Sequence, residues 1–348
     1  MRTSPFLSVI TLTLLLALGQ PAQGVEVYQL ARSGHGMIEE EVEALEAELD
    51  EQPDNLDART RLLGYYFSRQ HSDHNAAERR QQHILWLIEH RPEAEITSLP
   101  YASLDHPMAE AFDDAQRLWQ DHVENNPENV AILTNAASFF TRSPRLDLAE
   151  QYYEKAKELE PDNGDWPAYL ARVLKRQARQ SPPDGSRELT SRALSEFERA
   201  YELRELPQRR FYLLNDLAET ALSAGEHDKA RDYAQQLLDQ AQQFPNDWNH
   251  GNAIHGGHSV LGHLALEDDD VDAAIDHLLE AGNTPGSPQL NTFGPNMSLA
   301  QALLEAGERD AVLDYLDRIE SFWANERGRL DQWREAIDDG HTPRLQHR

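Results

Sequence analysis

Residues 130–163 read VAILTNAASFFTRSPRLDLAEQYYEKAKELEPDN, and the order of small and large apolar residues in this stretch decides the fold. Leu133, Ala136, Ala137 and Phe140 recur at helical spacing. A polar turn follows, then Ala149, Tyr153 and Ala156 repeat the spacing, and Pro161 closes the unit. This is the pattern of two amphipathic helices joined by a short turn. The same grid returns with drift over 211–244 (Leu217, Ala218, Ala221, Gly225, Ala230, Ala234, Leu237) and 255–288 (Leu261, Gly262, Ala265, Ala274, Leu278, Ala281). It returns again over 293–326 (Leu299, Ala300, Leu303, Gly307, Val312, Leu316, Ile319). Ala137 with Ala149, and Gly262 with Ala274, stand where the paired helices cross, since larger side chains would force the axes beyond about 8–10 Å. Pro53, Pro92, Pro127 and Pro161 end helices because proline lacks an amide donor. Asp54, Glu93, Glu128 and Asp162 follow them in turn and capping positions.

A two-helix unit recurring at about 34 residues resembles the tetratricopeptide repeat. The resemblance implies an all-α, right-handed superhelical solenoid of antiparallel helix pairs, each burying its apolar face on its neighbours. Two units depart from the pattern. Residues 55–92 keep Leu63, Gly64, Phe67 and a long second helix from Ala77 to His90, with a turn lengthened through Ser72–Asn75. Residues 164–205 keep Leu170, Ala171, Ala193, Phe197 and Ala200 around a Ser-Pro-Pro-Asp-Gly-Ser insertion at 181–186, expected to form a surface loop. The expected organisation is a leader at 1–24, a first helix within 25–54, and N-terminal repeats over 55–163 with an irregular insert near 97–106. Central repeats over 164–244, C-terminal repeats over 245–326 and a final helix and tail at 327–348 complete it. Residues 107–126 read as one long helix carrying Ala115, Trp119 and Val123 on one face.

The first residues have the layout of a cleavable export signal: Arg2, the apolar run Phe6–Leu18, and the small-residue site Ala22-Gln-Gly24 before Val25. Cleavage there leaves no stable membrane anchor. With no cysteine in the chain, thiol chemistry, disulfides and cysteine-ligated metals are excluded. A cysteine-free exported chain with such a signal is expected in a bacterial periplasm or outside the cell. Acidic residues outnumber basic ones 61 to 32, a net charge of −29. A nucleic-acid binder needs a basic footprint, so a protein or peptide partner is expected and nucleic acid is not. No cofactor and no metal is expected.

In the repeat family the first helix of each unit lines a concave surface. The family frame places Arg61, Tyr65, Arg69, Thr134, Ser138, Arg142, Arg172, Lys175 and Arg176 on it in the N-terminal half, and Asn215, Glu219, Ser259, His263, Glu267, Gln301 and Glu305 in the C-terminal half. The groove implied by that frame is basic at one end and acidic at the other. Arg61, Tyr65, Arg69, Arg142, Arg172 and Arg176 are therefore its candidate binding residues, suited to carboxylates held on arginine forks. The lysine-and-asparagine clamp of repeats that grip a C-terminal carboxylate is missing. The fifth positions read Arg61, Thr134, Ala168, Asn215, Ser259 and Met297.

A second candidate is the stretch 244–258, FPNDWNHGNAIHGGH, facing the linker 282–296, GNTPGSPQLNTFGPN. Trp248, His250, Asn252, His255, His258 and Asn296 are its pocket residues. His255 and His258 share a helix face, although the pattern lacks a third ligand at metal-binding spacing. Gly256 and Gly257 disfavour helix, a cost accepted where a backbone must approach something closely. These segments, with 80–92, resemble parts of a group of exported bacterial tetratricopeptide-repeat proteins that have no assigned activity. The alternative function is an enzyme or small-molecule binder centred here.

Overall fold

Side chains of one methyl or less at 136, 137, 149 and 156 let the two helices of the quoted unit touch, and all four are fully buried, with Phe140 beside them. The computed structural model describes residues 22–104 and 111–345, and among these it contains helices and 3-10 turns and no strand. The chain divides at Gln177/Ala178 into two units.

The N-terminal unit holds α1 (Ala22–Ser33), a 3-10 turn (Gly34–Gly36), α2 (Glu39–Glu51), α3 (Leu56–Phe67) and α4 (His74–His90). Two 3-10 turns, Glu95–Ser98 and Pro100–Ala102, lead on to α5 (Phe112–Asn125), α6 (Val130–Phe140) and α7 (Leu146–Leu159), and α8 (Asp165–Gln180) runs into the boundary. The helices begin where the sequence supplies an acceptor. Asn55 takes a hydrogen bond from the Ala58 amide at 3.1 Å and Asn129 from that of Ile132 at 3.2 Å, each satisfying an otherwise orphaned donor. The irregular insert is ordered by a buried arginine. Arg80 donates to the carbonyls of Tyr101 (3.1 Å), Pro100 (3.3 Å) and Ser103 (2.6 Å) while Ile96, Leu99 and Leu104 turn inward. Residues 105–110, the rest of the insert and the expected start of the long helix, lie outside the described residues, and α5 begins at Phe112.

The C-terminal unit holds α9 (Pro183–Leu203), α10 (Pro207–Ala224), α11 (His227–Gln243), α12 (His250–Glu267), α13 (Val271–Gly282), a short α14 (Pro288–Phe293), α15 (Ser298–Ala306), α16 (Arg309–Glu320) and α17 (Arg329–Asp338). Leu217, Ala218, Ala221, Ala230, Ala234 and Leu237 are buried, as the repeat grid requires. Two expectations are corrected. The loop expected at 181–186 is confined to its start, because Pro183 stands in the first turn of α9. There a proline loses no hydrogen bond, and its fixed φ suits the helix. The linker 282–296 contains a helix of its own, capped by Ser287, whose hydroxyl accepts from the Leu290 amide.

The leader run Phe6–Leu18 lies outside the described residues. No described helix is long and apolar enough to cross a membrane.

Candidate functional site

Arg61, Tyr65 and Arg69 follow one another by single turns along α3 and its C-terminal turn, all half-buried. The Arg69 guanidinium lies 3.7 Å above the Tyr65 ring and donates to the Tyr65 carbonyl (3.2 Å) and the Ser68 hydroxyl (2.8 Å). Stacking and two hydrogen bonds fix its fork before any ligand arrives. A second element meets this face. A Cβ on Gly64 would sit 1.6 Å from the Ala31 carbonyl oxygen, and one on Gly34 would sit 1.9 Å from that of Arg61. Only hydrogen at both positions lets α1 and the turn after it lie against α3. Tyr28 and Ala31 are buried in that contact zone, and the Tyr28 ring lies 5.4 Å from Tyr101.

That packing brings Arg32 and His35 to the same edge, and the sequence reading missed both. They precede the first recognisable repeat, and the local cue was the short Arg32-Ser-Gly-His35 run. The His35 ring stands edge-on to Tyr101 at 5.6 Å. Burial, then the charges of Arg32 and Arg69, hold its pKa below the usual imidazole value. Its Nε2 is buried and has no hydrogen-bond partner among the described residues. The side chains of Arg32 and Arg61 likewise make no hydrogen bond or ion pair among the described residues.

The remaining basic candidates lie elsewhere in the same unit, at the end of α6 and on α8. Arg176 donates to the Thr141 carbonyl and Arg172 lies 5.9 Å from the Tyr169 ring. The charges of Arg172 and Arg142 both bear on Tyr153, whose pKa is raised mainly by burial. Arg142, Arg172 and Lys175 are engaged by neighbours. The six residues thus form two groups, and in the one on α3 Arg61 makes no hydrogen bond or ion pair among the described residues.

In the C-terminal unit, the segments 244–258 and 282–296 do come together. Asn252 donates to Asn249 and Gln289, both at 3.2 Å, and accepts from the Ser287 hydroxyl at 2.5 Å. Thr284 donates to the Gly251 carbonyl at 2.8 Å, and Gly251 packs so closely on Gly286 that a Cβ would lie 1.9 Å from its oxygen. His250 opens α12 and its Nδ1 donates to the Ala241 carbonyl at 2.9 Å. His255 is buried, with Nε2 3.1 Å from the Tyr315 hydroxyl, and burial followed by the nearby His258 lowers its pKa to about 4. His258 meets His277 with Nδ1 atoms 3.0 Å apart. Trp248 packs 5.2 Å from the Tyr212 ring. Asn296 takes no part in the cluster; its side chain accepts from the Ser298 amide at 3.0 Å, at the start of α15.

The close approach foreseen at Gly256 is real, and what approaches is Asn215 of α10, 1.8 Å from where a Cβ would stand. The two segments form a seam joined by the hydrogen bonds of Asn252, Thr284 and Ser287, while Trp248 Nε1 and Thr292 Oγ1 are buried without a hydrogen-bond partner among the described residues. Among the described residues no group of three or more histidine, aspartate or glutamate side chains is arranged to hold a metal. The end of the expected groove row at Gln301 is covered by the chain itself. Leu345 is buried, its amide donates to Gln301 at 2.7 Å, and Arg309 holds the carbonyls of Gly340 (2.9 Å) and His341 (2.8 Å).

The family model for the tetratricopeptide repeat matches residues 109–164 and 186–247. With the all-helical units described above, the fold is a tetratricopeptide-repeat-like helical solenoid. Solved structures similar to it include two of one human protein. The human IFIT1 dimer with m7Gppp-AAAA has 17% identity and a TM-score of 0.48, covering 86% of this chain and 67% of that one. The human IFIT1 dimer with PPP-AAAA has 16% identity and a TM-score of 0.42, covering 86% and 78%. No curated protein matches the chain.

Proposed function

We propose that this chain is an exported scaffold that binds a protein or peptide partner through the basic, aromatic face of its N-terminal unit, around Arg61, Tyr65 and Arg69. The observation that carries the reading is the state of the cations there. Several arginines elsewhere in this acidic chain are paired with acids: Arg334 is held by Asp317, Glu320 and Asp331, Arg145 by Asp147, Arg91 by Asp54 and Arg231 by Asp268. Among the described residues Arg61 makes no hydrogen bond or ion pair, one turn from a stacked Tyr65–Arg69 pair. The signal-like residues 1–24 and the likeness to exported bacterial repeat proteins support a periplasmic or secreted setting, with a partner in the cell envelope. The seam around His255 favours packing over catalysis, because Asn252, Thr284 and Ser287 spend their hydrogen bonds on joining the two segments.

Affinity capture from the source cell envelope tests this, with bound proteins identified by mass spectrometry. Arg61→Glu with Arg69→Glu should lose the captured partner and keep the helical circular dichroism spectrum. His255→Ala with His258→Ala should retain it. The opposite pattern would transfer the function to the C-terminal seam.

A further inference from the structure

The N-terminal face has a length and a chemistry that specify its ligand more closely, on the reading just given. We infer that Arg61, Tyr65 and Arg69, completed by Arg32 and His35, form a receptor for an extended peptide segment carrying two carboxylates, at positions i and i+4.

The first argument is charge. The chain has 61 acids to 32 bases, and even so some guanidinium groups carry no anion among the described residues. Two such groups, Arg32 and Arg61, flank the fixed guanidinium of Arg69. The charges of Arg32 and Arg69 act on His35, and a carboxylate is the group that relieves that repulsion with paired hydrogen bonds. The second argument is length. Arg61 and Arg69 are eight residues apart along α3 and the turn that ends it, about 12 Å at ~1.5 Å per residue. An extended peptide covers that distance in about four residues at ~3.3 Å each. Side chains of a strand alternate, so i and i+4 point to the same side as i+2. Acids at i and i+4 then meet Arg61 and the Arg69–Arg32 end, while the residue between them meets Tyr65. An apolar or aromatic residue suits that middle position. The third argument separates this ligand from a nucleic acid or other long polyanion. Such a chain would overrun a face about 12 Å long and meet the acidic remainder of a protein of net charge −29.

His35 makes binding depend on protons. The groups facing it are Arg32 from α1, Arg69 from the end of α3, and the Tyr101 ring from the 3-10 turn that Arg80 holds. A carboxylate between Arg32 and Arg69 cancels their repulsion of the protonated ring and offers the orphaned Nε2 an acceptor. The bound form then holds the proton more tightly than the free form, so affinity rises as pH falls from 7.5 to 5.5.

Fluorescence polarisation on the full chain tests this with a rhodamine-labelled peptide, Ser-Glu-Ser-Phe-Ser-Glu-Ser, and its Gln-for-Glu counterpart. The Glu peptide should bind at least about tenfold more tightly. Arg32→Glu and Arg61→Glu should each remove that preference, and the milder Arg32→Gln and Arg61→Gln should weaken it if a reversal disturbs folding. His35→Ala should keep binding at pH 7.5 and lose the gain at pH 5.5. Equal binding of the two peptides, or no effect of Arg32→Gln and Arg61→Gln, overturns the inference. So does competition by a single-stranded RNA oligomer stronger than that by the unlabelled Glu peptide. If the peptides bind alike while the Arg61/Arg69 reversals still abolish envelope capture, the diacid ligand fails and the binding face stands. If capture survives those reversals, the face fails with it.

Discussion

Arg59 is buried and held by structural contacts, although it sits two residues from Arg61. Its guanidinium lies 3.6 Å over Trp86 and donates to the Pro53 carbonyl and to Nδ1 of His83, both at 2.9 Å. Because a guanidinium can only donate, Nδ1 of His83 accepts, and the ring carries its hydrogen on Nε2. That hydrogen is given to Glu46 at 3.0 Å, which also accepts from the Tyr66 hydroxyl at 2.6 Å. Burial raises the Glu46 pKa, yet the bonds from His83 and Tyr66 outweigh it and the net shift is downward. The folded state therefore favours the carboxylate, a stabilisation present above the ordinary glutamate range and lost as pH falls through the lowered value. His255 acts in a different window. Its pKa drops to about 4 on folding from an ordinary 6.5, so the unfolded chain binds the extra proton and stability declines as pH falls from about 6.5 towards 4. Urea unfolding across pH should show both windows. Glu46→Gln should cost about 1–3 kcal/mol at pH 7 and flatten the loss below pH ~4. His255→Gln should flatten the decline between pH ~6.5 and 4. Identical pH profiles for wild type and both variants would mean that neither network forms. None of this was legible beforehand, because Arg59, His83 and Glu46 are far apart in sequence and only folding shows which arginine is spent on structure.

At the scale of helices, the reading of spacing was sufficient wherever the repeat was regular. Ala137, Ala149, Ala218 and Ala274 are buried at the crossings because the constraint is local and steric. Two failures have physical causes. The Pro182-Pro183 pair was read as a breaker, whereas proline is compatible with a helix's first turn. The place of α1 was invisible because it depends on missing Cβ atoms some 30 residues apart, at Gly34 and Gly64. The glycines at 256 and 257 gave a true signal of close approach, but sequence could not say whether a ligand or another helix approaches. That contact yields a test. Gly64→Ala places a methyl 1.6 Å from the Ala31 carbonyl oxygen, so backbone must move and α1 must lift from α3. A cost of roughly 1–3 kcal/mol is expected, with faster amide exchange in α1. Gly36→Ala, with nothing within 4 Å of the new methyl, should leave the melting midpoint unchanged or slightly raised. Since Arg32 and His35 travel with α1, Gly64→Ala should also weaken the Glu peptide without touching it. A midpoint for Gly64→Ala equal to that of Gly36→Ala would show that α1 does not rest on α3.

For the whole molecule, composition carried more than it first showed. A net charge of −29 excludes a general basic footprint, and it also gives meaning to the arginines left without acids. The sequence named Arg61, Tyr65 and Arg69 through the repeat frame, and missed that Arg142 and Arg172 are engaged by neighbours, since pairing is a three-dimensional property. The same charge sets how binding responds to salt. An acidic ligand is attracted by the face over a few ångströms and repelled by the rest of the chain over tens of ångströms. At ~0.01 M salt the screening length is about 30 Å, so the long-range repulsion acts in full. At ~0.1 M it is about 10 Å, close to the length of the face, and the repulsion is screened while the contact pairs persist. Towards ~1 M it falls to about 3 Å and the contact attraction fades too. Affinity for the Glu peptide should therefore pass through a maximum near ~0.1 M salt, whereas a basic site on a neutral protein would weaken steadily. The rise should lie mainly in the association rate, because repulsion opposes approach, and the later fall in dissociation. Titration of the labelled peptide from 0.01 to 1 M salt, with stopped-flow rates at each end, decides it. A monotonic fall from the lowest salt would mean that the acidic surface lies too far from Arg61 and Arg69 to act on the ligand.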